Sequence, residues 1–245
     1  MHEMSFIPDE SPVAQEPRRS GIFQRFIGIF AAPQATLRDI TRHPNWLVPL
    51  VFIALAFSLM TQWIVPAIVQ DARPEIEKRL AQRDIPAEQV EQITEVSLRN
   101  IHNYSAVSAG IGTVIVSLIA AAAILFIGNI ILGGKSNFLQ VFSVYMWTGL
   151  VSILGFLLKI PLILNQMTTK IYFSPAAFFP AEAETGTLFR IALIFDLFTI
   201  WRIVLIAIGF SLIYQFPLGK SIAVLGGFYL AFAFIRILMA GLFGG

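Results

Sequence analysis

No cysteine occurs among the 245 residues, which excludes a disulfide, a thiolate nucleophile and any cysteine metal site, and leaves no redox compartment to infer. Histidine is nearly as scarce. His2, His43 and His102 are the three, none shares a helix face with a second ligand at metal spacing, and neither HExxH nor GxSxG occurs. Charge is low as well: Asp, Glu, Lys and Arg make up 13% of the chain, against roughly 25% in soluble domains. The first 20 residues lack the apolar core of a cleavable signal; with Glu3, Asp9, Glu10 and Glu16 among prolines, they read as a solvated, disordered tail. No metal, no cofactor and no catalytic chemistry is expected.

What fills the chain instead is apolar sequence, 56% of all residues. Five stretches, about 46–69, 105–132, 138–164, 188–215 and 222–243, each reach or exceed the ~20 residues needed to cross a ~30 Å hydrocarbon core. The fold class is therefore an all-α polytopic membrane protein, a five-transmembrane-helix bundle. Its expected organisation is a tail over 1–20, a juxtamembrane amphipathic segment over 21–45 and a membrane domain over 46–245. The first span is expected to act as the targeting signal. In the segment before it, Ile22, Phe23, Phe26, Ile27 and Phe30 recur at helical spacing beside Arg25, so an interfacial amphipathic helix is expected, interrupted at Pro33. Trp46 stands where an aromatic anchor belongs.

The basic residues set orientation and exclude nucleic acid as a partner. The net charge is +2 with a pI near 9.0, but the cations form no stripe along which a phosphate backbone could run. Arg18, Arg19, Arg25, Arg38 and Arg42 precede the first span, and Lys135 and Lys220 sit in the second and fourth connections. Those regions are expected to be cytoplasmic. The first connection, 70–104, carries five basic against seven acidic residues, and the third sets Lys170 against Glu182 and Glu184. The reading is N-terminus in, C-terminus out. The long first connection reads as one or two helices that cap the bundle, with Asp84-Ile85-Pro86 as a helix start.

The second span is rich in small residues, with Ala106 and Gly110, Ser108 and Gly112, and Ser117 and Ala121 spaced four apart, a pattern for close helix approach in lipid. It is expected to be the central helix. Leu132-Gly-Gly-Lys-Ser136 and Leu218-Gly-Lys-Ser221 echo one another before the third and fifth spans, which suggests a repeated hairpin. Neither is a P-loop, because Asn129 and Tyr214 occupy the place of the required first glycine. Lys135, Ser136, Lys220 and Ser221 are candidate lipid-facing turns, each lysine able to attract anionic headgroups by ~1 kcal/mol.

Charges inside the spans are the sharpest local feature. Asp196 and Arg202 fall in the fourth span, Arg236 in the fifth and Lys159 in the third, where an unpaired charge costs at least ~2.5 kcal/mol. Counting from the turn near Pro217 sets Arg236 at a depth between Asp196 and Arg202, so an Asp196–Arg236 pair is expected, with Lys159 as the competing partner. The cluster reads either as a structural pair or as part of a polar path for a solute.

The approach Ala31-Ala-Pro-Gln-Ala-Thr-Leu-Arg-Asp-Ile40, the following His43-Pro-Asn-Trp-Leu-Val-Pro-Leu50 and the segment Gly133-Gly-Lys-Ser-Asn-Phe-Leu-Gln-Val-Phe-Ser-Val-Tyr145 resemble the bacterial branch of the Yip family, the Ypt/Rab-interacting membrane proteins. The resemblance covers about residues 26–240. It implies an integral membrane protein without catalysis, in eukaryotes tied to small GTPases and vesicle traffic. The Asp-Leu-Tyr-Gly-Pro segment of the eukaryotic members is missing, and Val144-Tyr145-Met-Trp147 replaces their Gly-Tyr pair, so fold and topology carry over and no binding residues do. The function read from the chain is a non-enzymatic scaffold or interaction protein, probed against a small transporter or channel subunit. Its expected partners are the bilayer with its anionic lipids, an unidentified membrane or cytoplasmic protein, and a second copy of the chain, in the cytoplasmic membrane of a bacterium.

Overall fold

A computed structural model describes residues 20–243 apart from 84 and 185, so the expected tail lies outside the described residues except for Ser20. Two short helices come first, α1 (Ile22–Ala31) and α2 (Pro33–Arg42), divided where proline occupies the first position of α2. Then follow α3 (Leu47–Ala81), α4 (Ala87–Phe126, prolonged by a π turn over Ile127–Ile131), α5 (Phe138–Thr148), α6 (Leu150–Gln166), α7 (Thr187–Ile194), α8 (Leu197–Tyr214) and α9 (Leu218–Phe243). Among the described residues there is no strand. Five helical stretches are long and apolar enough to cross a membrane, with α5 and α6 together forming the third.

Two boundaries differ from the sequence reading. The segment 70–104 does not fold back as separate capping helices. α3 and α4 run on past their apolar stretches and pack along each other as a two-helix stalk, the most extensive helix pairing in the fold. Arg73 clasps Glu95 across the stalk at 2.6 Å, and Asp71 accepts hydrogen bonds from the Thr168 hydroxyl at 2.9 Å and the Thr169 amide at 2.6 Å, tying the stalk base to the third connection. The fourth span is also shorter than its apolar run. The chain breaks at Phe195, and Asp196 then caps α8, so Asp196 stands at the mouth of the span and not inside it.

The central helix is α5, not α4. Every residue from Val141 to Thr148 is buried, Trp147 completely. α4 uses its small residues on one side only, where Gly110 lies against Ser58 and the Ala54 carbonyl of α3. Its remaining circumference exposes Val107, Ile111, Ile115, Val116 and Ile119. A small-residue face brings one neighbour close; it does not surround the helix with neighbours. The contact that centres α5 is with α8, where Gly209 meets the Val144 side chain so tightly that a Cβ would collide with it. α9 is peripheral and exposes Phe228, Phe232, Phe234 and Leu238, which makes it the most lipid-accessible span.

Candidate functional site

The fold pairs two of the four charges, Lys159 and Asp196, and holds Arg202 and Arg236 apart from them. Lys159 Nζ lies 3.7 Å from Asp196 Oδ2, and the expected Asp196–Arg236 pair does not form. The competing partner read from the sequence, Lys159, holds Asp196, because rotation about the helix decides the partner. Because the chain turns at Phe195, the Asp196 carboxylate faces α6, and its other oxygen accepts from the Thr199 amide at 2.9 Å and the Thr199 hydroxyl at 3.0 Å as the cap of α8. Tyr229 of α9 instead reaches the broken helix end, donating to the Ile194 carbonyl at 2.7 Å. A cavity of about 250 Å³ is lined by Lys159, Asp196, Thr199 and Ser152.

Arg202 is held elsewhere, at the junction of α5 and α6. Its guanidinium donates to the Ser152 hydroxyl at 3.3 Å and the Tyr145 carbonyl at 3.4 Å, and stacks 4.3 Å from the centre of the Tyr145 ring. An arginine flanked by an aromatic face and a freed carbonyl is stabilised without a carboxylate. Arg236 is exposed and forms no ion pair with a described residue.

The two Gly-Lys-Ser turns meet at the N-terminal end of the bundle, but their backbones differ. Leu132–Ser136 is an extended connection with Gly133 at φ 68°, whereas Leu218–Ser221 is the first turn of α9. The sequence echo therefore has no matching local structure. Lys135 and Lys220 are exposed, the Lys220 ammonium 4.2 Å from the centre of the Phe216 ring. Ser221 faces inward, while Ser136 is half-buried with its hydroxyl donating to Gln140 Oε1 at 3.2 Å. The Asn129 side chain clamps Ser136, donating to its carbonyl at 2.9 Å and accepting from its amide at 3.1 Å, while Tyr214 donates to Asn129 at 2.8 Å. Ser221 is fully buried and donates to the Pro217 carbonyl at 3.3 Å. Gly128 and Gly134 exist as glycines because the Tyr214 ring occupies the space of a Cβ at both.

The site that sequence reasoning missed is built on Arg25. It is 1% exposed, the only arginine so buried among the described residues. Its Nε donates to Asp39 Oδ2 at 2.9 Å and its Nη1 to the His43 carbonyl at 3.1 Å. His43 Nδ1 lies 3.2 Å from the second Asp39 oxygen. Burial pushes the Asp39 carboxyl up, but the hydrogen bond and charge of Arg25, helped by His43 and Ser20, outweigh it and hold the carboxyl below its ordinary value. The available signal was Asp39 and His43 four apart on α2 across the Pro33 break from Arg25.

This ion pair locks α1 against α2, and the pair of helices is fastened to the bundle. Gln140 donates to the Thr41 carbonyl at 3.3 Å and the Trp147 indole to the Asn45 carbonyl at 2.8 Å. Phe26 meets Trp147 and Phe52 edge-on at 5.1 and 5.0 Å. The apolar residues of α1 consequently divide. Phe26 and Ile29 turn inward, and Ile22, Phe23, Ile27 and Phe30 stay exposed, Phe23 by 77%.

A family model, the Yip1 domain, matches residues 27–240. Neither the curated proteins nor the solved structures contain a match.

Proposed function

This chain belongs to the Yip1 domain family and is an integral membrane protein; from that premise we propose that it is a non-enzymatic scaffold of membrane organisation, which offers its N-terminal helices to lipid and to a protein partner. The observation that carries the reading is the buried Arg25–Asp39 pair. A charge is buried to fix the rotation of α1, and the result is an outward row of Ile22, Phe23, Ile27 and Phe30 on a helix docked at one end of the bundle. Such a row enters the headgroup and acyl boundary of one leaflet. Lys135 and Lys220, exposed at the same end, add attraction for anionic lipid. Together with Arg38 and Arg42 they support a cytoplasmic N-terminus and an outward C-terminus, in the cytoplasmic membrane of a bacterium.

One observation favours transport as the second reading. The cavity at Lys159, Asp196 and Ser152 adjoins Arg202 through Ser152. Against it stands the pairing of Lys159 with Asp196, which docks α6 on α8. Reconstitution in ion-loaded liposomes separates the two. The scaffold reading expects no proton, potassium or chloride flux above empty vesicles, and an Asp196→Asn variant with reduced folded yield. Flux by the native chain that Asp196→Asn abolishes at unchanged yield would overturn it. The lipid-facing row is tested with a Phe23→Cys variant carrying a fluorophore, since the native chain offers no competing thiol. Quenching by brominated lipid is expected; emission indifferent to brominated lipid would remove the membrane role of α1.

A further inference from the structure

A cavity of about 510 Å³ opens between α4, α5, α7 and α9, apart from the Lys159–Asp196 pair. Arg190 and Arg236 both line it, with Tyr145, Tyr229, Leu193 and Phe232 among the other walls. Among the described residues neither arginine side chain has an ion-pair or hydrogen-bond partner. The carboxylate of this region, Asp196, is committed to Lys159 and Thr199. The Tyr229 hydroxyl is committed to the Ile194 carbonyl.

Depth adds a second, independent constraint. At ~1.5 Å per residue, Arg236 lies about 27 Å along α9 from Leu218, close to the full ~30 Å of a hydrocarbon core. Tyr229, on the same wall, lies about 16 Å along, near the middle. The cavity therefore runs from headgroup level on the side opposite the N-terminal helices down into the apolar layer. Cations mark its mouth, and Leu193 and Phe232 contribute its apolar flank. Two like charges lining one cavity repel each other, and an anion between them removes that cost while gaining charge-assisted, bidentate hydrogen bonds.

We propose that this cavity binds an anionic amphiphile, its phosphate or carboxylate held by Arg190 and Arg236 and its chain laid along the apolar wall formed by α7 and α9. The site is distinct from the exposed lysines at the other end of the bundle, which offer charge without a cavity.

The test uses the full chain in a neutral detergent, titrated with phosphatidylglycerol, phosphatidylcholine or inorganic phosphate, and read by melting temperature and by mass spectrometry of the intact complex. Phosphatidylglycerol is expected to bind at least about tenfold more tightly than phosphatidylcholine. Arg190→Gln and Arg236→Gln should each weaken it by about tenfold, the loss of one hydrogen-bonded charge. Lys78→Gln, which removes an exposed cation in the last turn of α3 away from the cavity, should leave it unchanged. Ala233→Trp, which fills the shaft one turn from Arg236 and keeps both guanidinium groups, should weaken the lipid and spare any response to inorganic phosphate. Should an arginine variant fail to fold, that tryptophan variant still decides. Equal binding of the two lipids, or binding indifferent to both arginines and to Ala233→Trp, would overturn the proposal. Protection by inorganic phosphate that depends on the arginines and equals that by phosphatidylglycerol would replace the amphiphile with a soluble anion.

Discussion

Replacing Arg25 by methionine, which keeps the volume and removes the charge, leaves the Asp39 carboxylate without its main partner. Removing one member of a buried ion pair commonly costs ~3–5 kcal/mol. Here the Asp39 side chain keeps 15% exposure and the His43 contact, which brings the expected loss below that range, to about 2–3 kcal/mol. Asp39→Asn should cost a similar amount by the opposite route, since Arg25 stays charged with Nη2 already lacking a partner. If the two side chains act as a pair, the double variant falls well short of the sum, with a coupling of about 2 kcal/mol. The loss should be local. The α1–α2 unit docks on the bundle through Phe26, Ile29, Leu37 and Ile40, but it lies outside the five spans, so it opens before they unfold. Trypsin cleavage at Arg38 and Arg42 in detergent reports that detachment, and 2–3 kcal/mol corresponds to cleavage faster by roughly 30- to 150-fold when opening equilibrates before cutting. Additive single variants with less than about 0.5 kcal/mol of coupling would show that Arg25 is not buried against Asp39, and the assigned rotation of α1 would fall with it.

The depressed Asp39 carboxyl contributes stability that is present above its ordinary value of 3.8 and is lost as pH falls through its lower folded value; the gap in amide-exchange protection of α1 and α2 between the native chain and Asp39→Asn should hold from pH 7 to about 4 and close only below that. Asp196→Ala removes both a helix cap and an ion pair and should cost about 1–2 kcal/mol in a detergent melt, whereas Asp196→Asn keeps the cap and loses less; an Asp196/Arg236 cycle should show no coupling. Gly209→Leu forces a side chain into Val144 and should cost at least about 2 kcal/mol or abolish folding, a result that a stable, monodisperse variant would contradict. For orientation, Phe178→Cys, at a position 90% exposed in the third connection, should react with an impermeant thiol reagent on intact cells, and Lys220→Cys should react only after lysis.

The fold class was legible because hydropathy over ~20 residues is a one-dimensional property. The five spans, the α1–α2 break at Pro33 and the grouping of basic residues needed no knowledge of neighbours. What the sequence could not reveal was angular. The depth of Asp196 could be counted from Pro217, but its partner depended on the turn at Phe195, which nothing in an apolar run announces. Small residues in α4 indicated a close approach, yet the number of neighbours around a helix is set by all the others, and α5 collected them. Arg25 was hidden for a related reason: among five arginines ahead of the first span, only the docking of α1 on α2 singles it out. Residues 135, 136, 220 and 221 were read by proximity to a membrane edge, which says nothing of side-chain direction, and the Ser221 hydroxyl is turned inward to a carbonyl.

The anchoring of α2 also has a consequence in time. The partners of Thr41 and Asn45, Gln140 and Trp147, lie 99 and 102 residues further along the chain. At roughly 5–20 residues per second of synthesis, the N-terminal helices wait about 5–20 seconds before the spans that receive them exist. Throughout that interval Arg25 and Asp39 can already pair within α1 and α2, while Phe26 has Phe52 of α3 to meet but not yet Trp147 of α5. The exposed face of α1 and the uncovered part of its buried face are then both available to lipid, so the nascent N-terminus is held at the membrane before it is held by the bundle. A chain ending after the second span would keep that first attachment and never acquire the second.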